Sequence, residues 1–340
     1  LGKDKRALLA SYRYLIFGTI GATFFVLGVG ILFVLTGSLN FLDISNRLEI
    51  LEQPAAHFTA MSFIIIGLLI KSAIFPLHAW LPDSYKYAPA FVTCFFSAIS
   101  TKVSLYLLIR MLFDVGNINS LIGRQIIEDI FFLLALISIF FGSFAAYFEK
   151  DIKKLFAYSS ISQVGIILIG ISVATVEGLT ASLAHFINHG LTKGFIFVIV
   201  CFLGSVLGGT SFKRFAGVGK VYPVLSGLLV FGCFSLIGVP GTPGFITKFT
   251  LISSLISSGS IILAFSVLLL SILTVAYCWR IVELIYFEEP DINSTTRRGN
   301  ETQIPLNVLL FVLAACMIYV SFDTTFTIGY AKIAAEQLLF

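Results

Sequence analysis

Nine apolar runs divide this sequence of 340 residues: 14–36, 59–79, 88–112, 126–148, 157–175, 180–207, 222–254 with an interruption, 261–287 and 304–322. A helical span needs roughly 20 apolar residues, so runs of this length leave no room for a sizeable soluble domain. A β-barrel would need short segments alternating apolar and polar, whereas these runs are continuous and rich in Leu, Ile and Phe. The expected fold class is all-α: a polytopic transmembrane helix bundle of about nine spans, forming one unit over 1–340.

Composition enters only to exclude. With 58% hydrophobic and 12% charged residues and a mean hydropathy of +0.99, the chain falls far below the roughly 25% charge of soluble domains. The formal charge of +4 does not point to nucleic acid, because basic residues flanking spans are topology signals. Cys94, Cys201, Cys233, Cys278 and Cys316 lie in apolar runs without CxxC spacing, so no metal or disulfide framework is expected. The opening LGKDKRALLASYR has no signal-peptide core or cleavage site and reads as the start of an N-terminally incomplete chain.

Lys and Arg sort by side when the spans alternate. One side collects Lys3, Lys5, Arg6, Arg13, Lys86, Lys150, Lys153, Lys154, Lys213, Arg214, Lys220, Arg297 and Arg298. The other holds Arg47, Arg110, Arg124 and Lys332, with Asp43, Glu49, Glu52 and Glu177 in its loops. The first side is expected to be cytoplasmic. The N-terminus of this stretch would then lie inside and the C-terminus outside.

Two runs are interrupted. Pro76 and Pro82 flank LHAWL in the second, and GVPGTPGF places Pro240 and Pro243 in the seventh. Proline removes an intrahelical hydrogen bond, and freed backbone at membrane depth is tolerated only in protein or beside a wet cavity. Paired interruptions point to a transporter's repeats and its site; a packing kink is the competing reading for either break alone.

Beside these breaks lie lysines. Lys71 precedes Pro76 by five residues, and Lys102 sits among Ser97, Ser100, Thr101 and Ser104 in the third run. Both read as too far from a boundary to snorkel, about 15 Å at 1.5 Å per residue. Intramembrane ammonium groups are costly and functional by default, against a structural pairing with some carboxylate. His185, His189 and Lys193 fall at i, i+4 and i+8 of the sixth run, along one helical face. Histidine titrates near physiological pH and suits proton passage. Zinc would lack a third local ligand, and a structural histidine pair is the other reading. Lys248 follows the second break, where its amine is expected to be partly neutral or faced by a carboxylate or water; a lysine at an interfacial loop is the alternative. No Asp or Glu lies mid-span.

The motifs KSAIFPLHAWLPDSYKYAPA, STKVSLYLLIR, KKLFAYSSISQVG, HFINHGLTKGFIF and GVPGTPGFITKF, in this order, resemble the proton-translocating antiporter-like membrane family. That family comprises large subunits of Mrp-type multisubunit Na+/H+ antiporters and the related proton-pumping subunits of respiratory complex I. The resemblance implies two inverted five-helix repeats, each with a broken helix, linked by buried lysines and histidines. Residues 1–112 would be the remainder of the first repeat, 126–287 the second, and 304–340 a C-terminal helix and tail. By motif, Lys71 would be the lysine of the first broken helix, Lys102 the connecting lysine, His185, His189 and Lys193 the central polar helix, and Lys248 the exit lysine. The helix bearing the glutamate that usually pairs with the first lysine would lie upstream of Leu1.

The HxxxHxxxK file resembles the D-type Mrp protein and also the largest antiporter-like protein of complex I; the short YAKIAAEQLLF after the last run favours the first, which sets the expected function: proton translocation within a monovalent cation (Na+)/H+ antiporter of several membrane subunits. No cofactor, metal or stand-alone enzymatic activity is expected. The alternatives are a proton-pumping subunit of an NADH:quinone oxidoreductase or membrane hydrogenase, and a non-conducting assembly scaffold. The expected location is the bacterial inner membrane.

Overall fold

The computed structural model describes residues 5–50, 54–116, 121–289 and 303–339. Lys3, Glu52, Arg297 and Arg298 of the charge tally fall outside them. Among the described residues the chain is helical, apart from an isolated antiparallel bridge between Asp151 and Ser211.

The helices run α1 (Lys5–Thr36), α2 (Phe41–Ile50), α3 (Pro54–Lys71), α4 (Leu81–Tyr87), α5 (Ala90–Phe95), α6 (Thr101–Arg110), α7 (Leu121–Phe148) and α8 (Ile152–Ser172). They continue as α9 (Val176–Val206), α10 (Phe212–Phe215), α11 (Val218–Val221), α12 (Pro223–Ile237), α13 (Pro243–Ser257), α14 (Ile261–Tyr286), α15 (Gln303–Phe322) and α16 (Tyr330–Leu339). Two π-turns, Phe96–Ser100 and Met111–Val115, join α5 to α6 and extend α6 into one long rod.

Local chemistry explains the boundaries. Asp151 caps α8 by accepting from the Lys154 amide at 3.2 Å, and Thr175 caps α9 from the Gly178 amide at 3.1 Å. Proline opens α12 and α13, where its missing N–H costs nothing. α12 stops at Gly238, whose φ of +90° is left-handed and suits glycine.

Among the described residues, seven helices are long and apolar enough to cross a membrane: Lys5–Thr36, Ala90–Val115, Glu128–Phe148, Ile152–Ser172, Val176–Val206, Ile261–Tyr286 and Ile304–Phe322. An eighth is reached if α10–α11 and α12, bent by 115°, count as one. The expected nine differ because two of the runs do not fold as single helices. The run at 59–79 stops at Lys71, and the run at 222–254 splits between Ile237 and Pro243.

α8 is almost wholly enclosed, between α7, α9 and α4. By contrast α1, α14 and α15 turn side chains such as Val26, Ile262, Phe265 and Phe311 outward, as lipid-facing helices do.

The basic segments gather at one end of the bundle. Asp83 takes Arg13 at 2.8 Å and Lys154 at 2.6 Å, and Asp151 takes Lys86 at 3.1 Å. The Phe212 amide donates to the Lys150 carbonyl at 3.0 Å. Segments around residues 13, 86, 150 and 212 thus share an end, as the alternation of spans requires. Asp151 is the one buried carboxylate among the described residues, and it lies at this end rather than mid-span.

Candidate functional site

The site is built where α9 crosses the interruption between α12 and α13. Three side chains on one face of α9 grip both halves. His185 Nδ1 lies 2.8 Å from Thr247 Oγ1 on α13, Asn188 Nδ2 donates to the Pro243 carbonyl at 3.2 Å, and Thr192 Oγ1 lies 2.8 Å from Ser235 Oγ on α12. Glycine makes the approach of the half-helices possible. A Cβ on Gly244 would sit 1.8 Å from the Ser235 carbonyl oxygen, so only glycine fits.

Lys248 is turned back across the break. Its Nζ donates to the carbonyls of Leu236 and Ile237 at 2.8 and 2.9 Å. These are orphan acceptors at the C-terminal, negative end of α12. Two backbone carbonyls, rather than a carboxylate, thus stand opposite this amine among the described residues: the second half-helix supplies a hydrogen-bond donor to the open end of the first. Lys248 is buried in α13 and is not an interfacial loop residue.

His185 and His189 are buried and stacked, their rings 5.8 Å apart and 2° from parallel. His185 Nε2 meets Gln163 Oε1 of α8 at 3.1 Å, while neither ring nitrogen of His189 bonds to the protein. One turn on, Lys193 has no exposed surface. Its ammonium donates to the Phe156 carbonyl at 2.7 Å and Ser159 Oγ at 2.5 Å, with the rings of Phe156 and Phe197 at 5.4 and 5.9 Å. Cation–π contacts of this kind partly replace lost hydration.

Lys102, 2% exposed, donates to the Ser97 carbonyl within the π-turn. It shares the lining of one cavity with Gly190 and Gly194 of α9. The π-turn packs closely on α9, where a Cβ on Gly190 would lie 3.0 Å from the Ala98 carbonyl.

Lys71 stands apart. It ends α3 and is only half-buried, at the interruption expected in the second run. The proline-containing segment stops the helix at the lysine, leaving it in the irregular turn. Its Nζ faces Gly18 of α1, across a cavity of about 70 Å³ lined also by Tyr14, Trp80, Ser100 and Ser104. Trp80 Nε1 donates to the Ile70 carbonyl at 2.9 Å and closes α3. Pro76 and Pro82 flank this turn; Pro240 lies in the other break, and Pro243 starts α13. No carboxylate pairs with Lys71, Lys102, Lys193 or Lys248 among the described residues, and no group of three metal-ligating side chains is found there.

Sequence alone does not single out Gln163, Thr247, Ser159, Asn188 or Thr192. Each is a neutral hydrogen-bonding residue, unremarkable by type. The signal that could have found them is position: Ser159 and Gln163 at i and i+4 in α8, and Thr247 beside Lys248.

A transmembrane family described as NADH:quinone oxidoreductase/Mrp antiporter matches residues 1–274. The chain belongs to this family. Among its relatives, NADH-quinone oxidoreductase subunit N of Desulforudis audaxviator is 38% identical over 287 residues, covering 84% of this chain and 56% of the relative. The D-type Na(+)/H(+) antiporter protein of Bacillus subtilis is 29% identical, covering all of this chain and 68% of the relative. The chain thus spans little more than half of one relative's length and about two-thirds of the other's. In structure it is similar to a chain of the archaeal membrane-bound sulfane sulfur reductase (TM-score 0.86, 30% identity, 99% of this chain and 67% of that one). It shares the fold of a chain of the Mrp complex from Dietzia (TM-score 0.86, 20% identity, 99% and 69%).

Proposed function

We propose that the chain translocates protons across a membrane as a subunit of a multisubunit monovalent cation (Na+)/H+ antiporter. The observation that carries this reading is the buried row of bases, Lys102, His189, His185, Lys193 and Lys248, set against an interrupted helix with no mid-span carboxylate. Lysine and histidine held in low dielectric exchange protons without permanent charge, and proton relays of pumps and transporters use such residues. Protons would pass along Lys71, Lys102, the His185/His189/Lys193 row and Lys248. Lys71 is the weakest link, because it is only half-buried and its cavity reaches the serines beside Lys102 rather than Lys102 itself.

The order helix, break, helix, long helix occurs twice, as α3, α4, α5–α6 and as α12, α13, α14, which supports reading 1–112 and 126–287 as parts of two repeats. The convergence of basic segments at one end supports a cytoplasmic placement of that end, in a bacterial inner membrane, with the C-terminus outside. Full coverage by the D-type antiporter relative supports partnership with other membrane subunits.

The 38% identity to an N-type oxidoreductase relative favours a second reading, in which the same row serves a redox-driven proton pump. Purification of the native assembly separates the two: flavin and iron–sulfur subunits would reject the antiporter. Cation-dependent proton flux in vesicles tests the relay itself. Lys102→Ala and Lys248→Ala should each abolish flux; unchanged flux in both would leave an assembly scaffold.

A further inference from the structure

We propose that Thr247 is a positioning residue that carries the protonation state of His185 to the first turn of α13. This rests on the proton-translocation reading above. The argument comes from counting hydrogens. A threonine hydroxyl has one hydrogen to donate and two lone pairs. Thr247 Oγ1 has two claimants for that hydrogen: His185 Nδ1 at 2.8 Å, and the backbone of its own turn, the Gly244 carbonyl at 3.2 Å and, more weakly, the Pro243 carbonyl at 3.5 Å.

The other ring nitrogen decides between them. Gln163 presents Oε1, an acceptor, to His185 Nε2 at 3.1 Å, so Nε2 carries a hydrogen in every protonation state. Neutral His185 then has a bare Nδ1, and Thr247 donates to it. When His185 gains a proton at Nδ1, that N–H donates to Thr247 Oγ1, and the threonine hydrogen turns to the Gly244 carbonyl. One proton is added to the imidazole; Thr247 gives up none and gains none. Both states are fully bonded without movement of a heavy atom, which His189 cannot match because neither of its ring nitrogens is bonded.

The consequence falls on the break. Gly244 packs on Ser235 of α12, and Lys248, next to Thr247, holds the last carbonyls of α12. The hydroxyl therefore switches a hydrogen bond inside the turn that sets the two halves against each other. The groups facing His185 are Gln163 from α8, Thr247 and Lys248 from α13, Lys102 from α6, and His189 on α9 itself. Tyr277 of α14 lies behind Gln163. No acid is among them, so the neutral acceptors Gln163 and Thr247 stabilise the imidazolium.

The test is proton flux against pH in vesicles carrying the full assembly, with Thr247→Val, which keeps the shape and removes the hydroxyl, and Thr247→Ser, which restores it. Thr247→Val should move the pH of half-maximal flux down by about one unit, the difference between losing a bond to a charged and to a neutral ring, and Thr247→Ser should return it. A uniform fall with an unmoved profile, or no recovery in Thr247→Ser, overturns the inference. His185→Ala separates the premises: undiminished flux in that variant rejects the relay reading, whereas lost flux beside an unshifted Thr247→Val profile rejects only the role of Thr247. If Thr247→Val fails to assemble, nitrogen-15 spectra of His185 in the wild-type assembly decide. Hydrogen on Nε2 in the neutral state is expected, and hydrogen on Nδ1 overturns it.

Discussion

Lys248 and Ile237 lie on opposite sides of a helix break, and the ammonium of the first donates to the carbonyl oxygen of the second at 2.9 Å. With the parallel bond to Leu236, one side chain caps a helix to which it does not belong. Replacing Lys248 by Met leaves both acceptors without this donor in a buried site, at a cost of about 2 kcal/mol. The expected outcome is a lower melting temperature for the purified assembly together with loss of proton flux. Retained stability with lost flux would assign the lysine to conduction alone.

The same junction depends on glycine. Gly244→Ala places a methyl 1.8 Å from the Ser235 oxygen, a clash with backbone that no rotamer relieves, so it should cost about 3 kcal/mol or more and prevent assembly. Gly227→Ala in α12 meets nothing within 4 Å and should be neutral or slightly stabilising. Membrane yield and thermal melting of the two variants check the contrast.

Ser159 supplies one of two acceptors to Lys193. Ser159→Ala removes that oxygen but keeps the Phe156 carbonyl, so a loss of about 1 kcal/mol is expected, with flux reduced but measurable. Lys193→Ala should abolish flux. Equal losses in the two would show that the ammonium is useless unless held in place.

At the basic end, Asp83 serves both Arg13 and Lys154. Asp83→Asn sets two cations against each other with no anion between them. Because Asp83 is about one-fifth exposed, the expected loss is moderate, about 1–2 kcal/mol. It should shrink in high salt, which thermal melting at two ionic strengths would read.

Helix α2 gives a pH prediction away from the membrane core. A hydrogen bond from Ser38, and then Arg47, hold the exposed carboxyl of Asp43 below its ordinary 3.8. A depressed folded value means that the stabilising contribution is present above the unfolded value and lost as pH falls through the folded one. Amide protection factors in 41–50, taken relative to the intrinsic exchange at each pH, should therefore be unchanged from pH 7 to 5 and fall only below about 3.8. Lower protection already at pH 5 would contradict the pairing.

Much of this was legible in the sequence because membranes leave few choices. Continuous apolar runs dictate helices, and prolines at 76, 82, 240 and 243 mark where regular structure stops. The lysines and histidines announce themselves by being charged or titratable where lipid should be. What stayed hidden was relational. Nothing local in GTPGFITKF says that Lys248 points back to α12, and nothing in KSAIF says that the helix ends at Lys71 rather than several residues later. Gln163 and Thr247 are ordinary residue types whose importance comes from standing on either side of one imidazole, 22 residues before it and 62 after. Hydropathy counts apolar length and cannot see such pairings.

The π-turn at Phe96–Ser100 sets the azimuth of everything after it. A π-turn accommodates one residue more than the α-helix, and each residue turns the helix by about 100°. Lys102 is sealed against α9, while Val103 and Tyr106 look outward. Deleting Ile99 would remove the extra residue and heal the turn into plain α-helix with Lys102 still facing α9, whereas straightening the turn with all its residues kept would swing Lys102 by about 100° toward the hydrocarbon. Hydropathy, blind to one residue more or less, cannot see the turn that keeps the lysine among its neighbours.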